Sequence, residues 1–166
     1  AHVDFALTEI FRQNKSPLSI IMADMNGLKL VNDVFGHLQG DSMLCRVAEV
    51  LRQVARQEDV LIRWGGDEFL LLLPCVEEQE CFAMCEEIRI RCTQIAGEAV
   101  PLSIALGTAT QMQSSLIFND LFSLAESRMY KDKLQKSKEF RQTVLQVFQT
   151  SLNDARLEKK EHLQRV

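Results

Sequence analysis

The stretch "RWGGDEFLLLLP", Arg63 to Pro74, sets two glycines and two acids directly before an unbroken apolar run, so Asp67 and Glu68 fall where a buried strand begins. A third acid, Asp24, stands near the end of another such run, "LSIIMADM" from Leu18 to Met25. Carboxylates at the ends of neighbouring core strands can share one or two Mg2+ ions, hard cations that take oxygen ligands and keep partners among substrate phosphates. That chemistry is phosphoryl or nucleotidyl transfer. Gly65 and Gly66 remove side chains where phosphates would need a close approach to the backbone. By spacing alone, two readings stand side by side: a metal site, or ordinary solvated acids beside a turn.

The elements that must position these acids follow from periodicity. Val3, Leu7, Ile10 and Phe11 mark an amphipathic helix over residues 2–14, ended by the polar turn formers and proline of "NKSP". Leu18–Met25 reads as a buried strand. "GLKLVNDVFG" reads as a short helix and "GDSMLCRVAEVLRQVARQ" as a longer one with Asp41 near its cap, Gly36 and Gly40 punctuating the loop between them. "DVLIRW" and "EFLLLLP" flank a Gly-Gly pair, the signal of a tight hairpin whose turn needs positive φ. A helix from Glu77 to Ala96, the strand "LSIALGTAT", and a helix around "NDLFSLAESRMYKDKL" with Asn119 or Asp120 as its cap complete the pattern. This order predicts an α+β domain. From Glu139 onward, Phe140, Val144, Val147, Phe148 and Leu152 continue a helical stripe into a charged end.

Composition narrows the setting. A chain of 166 residues, 46% hydrophobic, suits one domain with an appendage. A formal net charge of -4 with spread basic residues argues against a nucleic-acid partner. No apolar segment approaches transmembrane length, so no membrane insertion is expected, and the segment reads as a cytoplasmic piece of a larger signalling protein. Cys45, Cys75, Cys81, Cys85 and Cys92 form an odd count without a CxxC pair, and the last three recur at helical spacing beside Ile88 as a reduced, apolar face. His37 lacks a partner acid or cysteine at ligand spacing and is assigned to loop hydrogen bonding, and Trp64 to packing.

"GGDEF", Gly65 to Phe69, together with "DMNGLKLVNDVFGHLQGD" upstream, resembles the two signature elements of the GGDEF diguanylate cyclases, which condense two GTP into cyclic di-GMP and release two pyrophosphates. The likeness runs from Ala1 to about Lys133. It implies a mostly antiparallel sheet flanked by helices, similar to nucleotide cyclase and polymerase palm domains, with a C-terminal helical extension. It also implies Mg2+ or Mn2+ as cofactor, GTP and cyclic di-GMP as ligands, and a homodimer as the active form. By the same resemblance Asp24 and Asp67 are metal ligands, Met25 lends a backbone carbonyl, and Glu68 assists metal binding or deprotonation of the 3′-hydroxyl. Asn32 and Asp41 match the guanine readers, and a carboxylate can accept from guanine N1–H and the exocyclic amine together. Lys29 and Lys133 match phosphate-binding lysines, Gly65 and Gly66 the substrate-facing turn, and main-chain N–H groups near Gly27 and Leu28 add neutral donors.

The family's turn that precedes the first helix is absent, and Ser137 stands where an arginine often follows the lysine, with Lys136 and Lys138 beside it. Asn26 replaces a common second aspartate and is given no ligand role. "RQED", Arg56 to Asp59, matches the position of an RxxD inhibitory product site; the alternative is a surface ion pair. The domain is expected over 1–138, with a helical linker over 139–166. "ARLEKKEHLQRV" resembles the opening of an HD-type phosphodiesterase domain through Glu158 and His162, against the alternative of a charged helical tail. An alternative function is a GTP- or cyclic di-GMP-binding module that regulates an adjacent domain.

Overall fold

The computed structural model describes residues 2–13, 15–95, 100–112 and 118–164. Its elements are α1 (His2–Arg12), β1 (Leu18–Met25), α2 (Leu28–Phe35), α3 (His37–Val54), β2 (Val60–Arg63), β3 (Glu68–Pro74), α4 (Glu78–Gln94), β4 (Ile104–Gln111) and α5 (Phe118–Gln164). The side chains of Val3, Phe11, Glu158 and His162 lie outside the described residues.

The four strands form one sheet in the order β2-β3-β1-β4, and every pairing is antiparallel. The α+β expectation is met. Strand β1 is central and buried along its whole length, which is why it reads as a continuous apolar run rather than as an alternating one. Alternation decides which face each side chain serves. Ile20 and Met22 of β1, Leu70 and Leu72 of β3, and Ala105 and Ala109 of β4 pack with Leu7 and Ile10 of α1 and with Leu121, Ala125 and Met129 of α5. Ile21, Ala23 and Met25 face the opposite way, into a larger core with α2, α3 and α4. Asp24 therefore belongs to the face that α5 covers.

Helix α5 can lie close to the sheet because Gly107 has no side chain. A Cβ there would strike the backbone carbonyl of Ala125 and the backbone nitrogen of Met129. Asp132, one residue before Lys133, fastens the helix further. Its Oδ2 accepts the Leu106 N–H at 2.9 Å, Arg89 Nη2 at 3.1 Å and Lys136 Nζ at 3.1 Å.

Three local expectations are corrected. Positive φ occurs, among the described glycines, only at Gly27 and Gly36, so the Gly65-Gly66 turn does not use it. Four residues, 64–67, connect the two strands, and the N–H groups of Trp64 and Gly65 both donate to the Glu68 carbonyl, at 2.9 and 3.2 Å. This longer loop reverses the chain without left-handed residues. Helix α3 starts at His37 with Gly36 as its cap, which places Asp41 inside the helix rather than near its cap. Helix α5 already includes Phe118, so Asn119 and Asp120 sit in its first turn, and it then runs 47 residues without a break. No glycine or proline interrupts it, and the boundary expected at 138/139 falls within it.

Candidate active site

The antiparallel register sets Asp24 directly opposite Glu68, and the backbone N–H of Met25 donates to the Asp67 carbonyl at 3.0 Å. The end of β1 and the start of β3 thus bring Asp24, Asp67 and Glu68 to one corner of the sheet. Asp24 is almost wholly buried, its side chain 4% exposed. Its Oδ2 accepts a hydrogen bond from Lys133 Nζ at 2.6 Å, while its Oδ1 is buried with no hydrogen-bond partner. Burial pushes the Asp24 carboxyl above the usual carboxylate range. Lys133 opposes that shift, and the nearby charges of Asp67 and Glu68 reinforce it.

A buried oxygen without a donor beside further carboxylates is the environment a cation relieves. Among the described residues, no set of three His, Cys, Asp or Glu side chains closes into a cage. Mg2+ does not require one: it is held by one or two carboxylates, waters and substrate phosphates. Asp24 and Asp67, with the Met25 carbonyl, fit that pattern.

A cleft of about 490 Å³ opens over this corner, lined by Asp24, Glu68 and Lys133 together with Ser127 and Tyr130 of α5. Sequence reasoning missed Ser127 and Tyr130, although their i, i+3 spacing to each other and to Lys133 sets the three on one side of the helix. Of the two glycines, a Cβ on Gly65 would come within 2.8 Å of the flexible end of Glu68, its Oε2; a Cβ on Gly66 would meet nothing within 4 Å. Trp64 packs on Phe122 of α5, with ring centroids 4.9 Å apart.

The residues expected to read guanine sit on the α2–α3 pair. Asn32 of α2 presses its amide against the bare Cα of Gly40, where its Cγ would be 2.8 Å from any Cβ, and its Oδ1 is buried without a partner. Asp41 is exposed on α3, and Lys29 is exposed on α2. Asn26 is fully buried: its Nδ2 donates to Ser103 Oγ at 2.8 Å, its backbone N–H donates to the Ser103 carbonyl at 2.9 Å, and its Oδ1 has no hydrogen-bond partner. Ser137 and Lys138 are exposed, and Lys136 is engaged with Asp132.

Arg56 and Asp59 are brought together, and they face each other. The guanidinium donates from Nη2 to Asp59 Oδ1 at 3.0 Å and to the Pro74 carbonyl at 2.9 Å, while the Arg56 N–H donates to Asp59 Oδ2 at 2.7 Å. The Asp59 side chain has no exposed surface, whereas that of Arg56 is 31% exposed.

Residues 1–139 match the family described as "Diguanylate cyclase, GGDEF domain". The chain belongs to the GGDEF-domain diguanylate cyclase family. This GGDEF domain is 32% identical over 116 residues to diguanylate cyclase DgcM of Escherichia coli K12, covering 69% of the chain and 28% of DgcM. It is 32% identical over 133 residues to the bifunctional diguanylate cyclase/cyclic di-GMP phosphodiesterase MucR of Pseudomonas aeruginosa, covering 78% of the chain and 19% of MucR. It thus spans a third or less of the length of either relative. Among solved structures, the active GGEEF domain of a Vibrio cholerae diguanylate cyclase superposes with a TM-score of 0.67 at 27% identity, over 76% of this chain and 82% of that one. A microbial GGDEF domain solved with cyclic di-GMP superposes at 0.68 and 28% identity, over 81% and 86%. Within the described residues of the GGDEF domain and its extension, no helix is long and apolar enough to cross a membrane.

Proposed function

We propose that this GGDEF domain catalyses the condensation of two GTP into cyclic di-GMP with release of two pyrophosphates, with Mg2+ or Mn2+ held by Asp24, Asp67 and the Met25 carbonyl. The observation that carries the reading is the buried Asp24 at the head of the cleft, with an unpartnered Oδ1, a carboxylate opposite and a lysine at its other oxygen. A bound divalent ion supplies Lewis-acid charge stabilisation for the attacked phosphate and the leaving pyrophosphate. In each of two equivalent steps a ribose 3′-oxygen bonds to the α-phosphorus of the other nucleotide, the bond from that phosphorus to the bridging oxygen breaks, and the hydroxyl proton passes to a base. Glu68, opposite Asp24 in the strand register, is the proposed base. Lys133 and Lys29 hold phosphate oxygens, and Asn32 and Asp41 select guanine over adenine by accepting from N1–H and the exocyclic amine.

One domain holds one such carboxylate corner, so closing both phosphodiester bonds calls for two copies facing each other, a homodimer. GTP as substrate suits a cytoplasmic setting. The deciding experiment incubates the protein with Mg2+ and GTP and separates the products chromatographically. Cyclic di-GMP is expected, and Asp24→Asn or Asp67→Asn abolishes it. GTP binding without product instead supports a second reading, a nucleotide-binding regulatory module. That reading is favoured by Ser137 standing where the family often has an arginine; of the two lysines beside it, Lys136 is engaged with Asp132, which leaves Lys138 to supply the charge.

Arg56 and Asp59 are proposed as a product site of modest affinity. Cyclic di-GMP bound there exchanges its own contacts for those Arg56 makes with Asp59 and Pro74.

A further inference from the structure

The family match ends at residue 139, but the helix that carries Lys133 continues, and three inward residues, Phe140, Val144 and Phe148, lie beyond that limit. Phe140 is buried, Val144 is fully buried, and Phe148 is half-buried. They recur every fourth residue on one face of α5, and Phe140 lies two turns beyond Lys133 on nearly the same line.

Their contacts follow α2 from end to end. Gly27, the cap of α2, has φ +70°, and the Phe140 ring occupies the place of its missing side chain, with Cδ1 2.6 Å from where a Cβ would be. Val31, one turn into α2, is fully buried in the same core cluster as Phe140 and Val144. Phe35, the last residue of α2, meets Phe148 edge to face, with centroids 6.2 Å apart and planes at 87°. Eight residues separate Gly27 from Phe35 and eight separate Phe140 from Phe148. The two helices therefore run side by side in the same direction and in step.

We propose that this extension of α5 is a splint for α2, and that Phe140 is a positioning residue that holds the Gly27 turn where a triphosphate binds. The inference rests on the proposed GTP site, in which Lys29 and the N–H groups near Gly27 and Leu28 receive the phosphates. A helix of eight residues is too short to be stable by itself, so its place is set by what packs on it. The α3 side of α2 belongs to the family's own segment; the α5 side is supplied by residues outside it. A single unbroken helix thus grips both the proposed metal carboxylate, through Lys133, and the proposed phosphate turn, through Phe140.

The test compares Phe140→Ala, Phe140→Leu and the parent in two measurements. Calorimetry with Mg2+-GTP and with guanosine, which has no phosphate, is expected to show Phe140→Ala weakening GTP about tenfold, with guanosine unchanged and Leu restoring most of the loss. Hydrogen exchange on the nucleotide-free protein is expected to show faster exchange at residues 27–31 in both variants, and none in β1 or β3. Equal weakening of both ligands, or unaltered exchange at residues 27–31, overturns the proposal. If Phe140→Ala does not fold, exchange in Phe140→Leu decides by the same criterion. A parent protein that binds no GTP refutes the function reading instead, and the exchange result still decides the role of Phe140.

Discussion

Lys133 Nζ donates to Asp24 Oδ2 at 2.6 Å, so the carboxylate assigned to the metal is already neutralised by an ammonium from a helix 109 residues downstream. The lysine side chain is 34% exposed and can swing toward solvent or a phosphate, whereas Asp24 cannot follow it. A metal ion and the ammonium compete for one carboxylate. Lys133→Met is therefore expected to bind Mn2+ about tenfold more tightly than the parent in the absence of nucleotide. Titration of Mn2+ followed by electron paramagnetic resonance measures this directly. Unchanged or weaker Mn2+ binding would show that the lysine does not hold the metal's place. If Lys133 also holds a phosphate, as proposed, GTP affinity falls in the same variant.

Burial raises the Asp24 carboxyl above its ordinary value, so the folded state holds this proton more tightly than the unfolded chain does. In the window from the ordinary carboxylate value up to the raised one, the folded state binds more protons, and stability falls as pH rises. Asp24→Asn removes the contribution. Its melting temperature is expected to exceed the parent's at pH 7, by about 0.5–2 kcal/mol of stability, and the gap should close as pH drops through that window. Thermal melts of both proteins from pH 4 to pH 8 check the sign. The stabilised variant is expected to be inactive, as befits a carboxylate kept for a cation rather than for the fold.

Strand β1, the register of acids at its end and the hairpin carrying Asp67 and Glu68 were legible because apolar runs and glycine pairs are local signals. Lys133 was legible only through resemblance, since nothing in "MYKDKL" announces that its fifth residue reaches Asp24. The roles of Asn26, Asp132 and Phe140 were not legible. Each depends on a partner remote in sequence: Ser103, the Leu106 N–H and Gly27. The turn geometry was misjudged for a related reason. A Gly-Gly pair suggests positive φ, but loop length, fixed by where both strands stop pairing, decides whether the turn needs it.

Gly107 and Gly66 separate packing from chemistry. A methyl group at Gly107 runs into the backbone of α5, which cannot yield as a side chain can, so Gly107→Ala is expected to cost about 1–3 kcal/mol in urea unfolding. Gly66 has no positive φ and no neighbour within 4 Å of an added Cβ, so Gly66→Ala should unfold within about 0.5 kcal/mol of the parent. A loss of activity in that second variant reports a clash with substrate alone. Full activity in Gly66→Ala would remove the argument that the turn is bare to admit phosphates.

Arg56 decides whether "RQED" is a ligand site, a brace or both. Its guanidinium satisfies Asp59, whose side chain has no exposed surface, and reaches the Pro74 carbonyl at the end of β3. Removing it leaves a buried carboxylate without its ion-pair partner among the described residues, which costs far more than breaking an exposed pair. Arg56→Ala is therefore expected to lose about 2–4 kcal/mol in urea unfolding without any nucleotide present. Loss of cyclic di-GMP binding in that variant would by itself be ambiguous. Arg56→Lys resolves it, because an ammonium keeps the charge beside Asp59 but cannot donate as a planar fork. The lysine variant should retain most of the parent's stability while its affinity for cyclic di-GMP, measured by calorimetry, drops. Equal affinity in Arg56→Lys and the parent would leave Arg56 as a brace between the start of β2 and the end of β3.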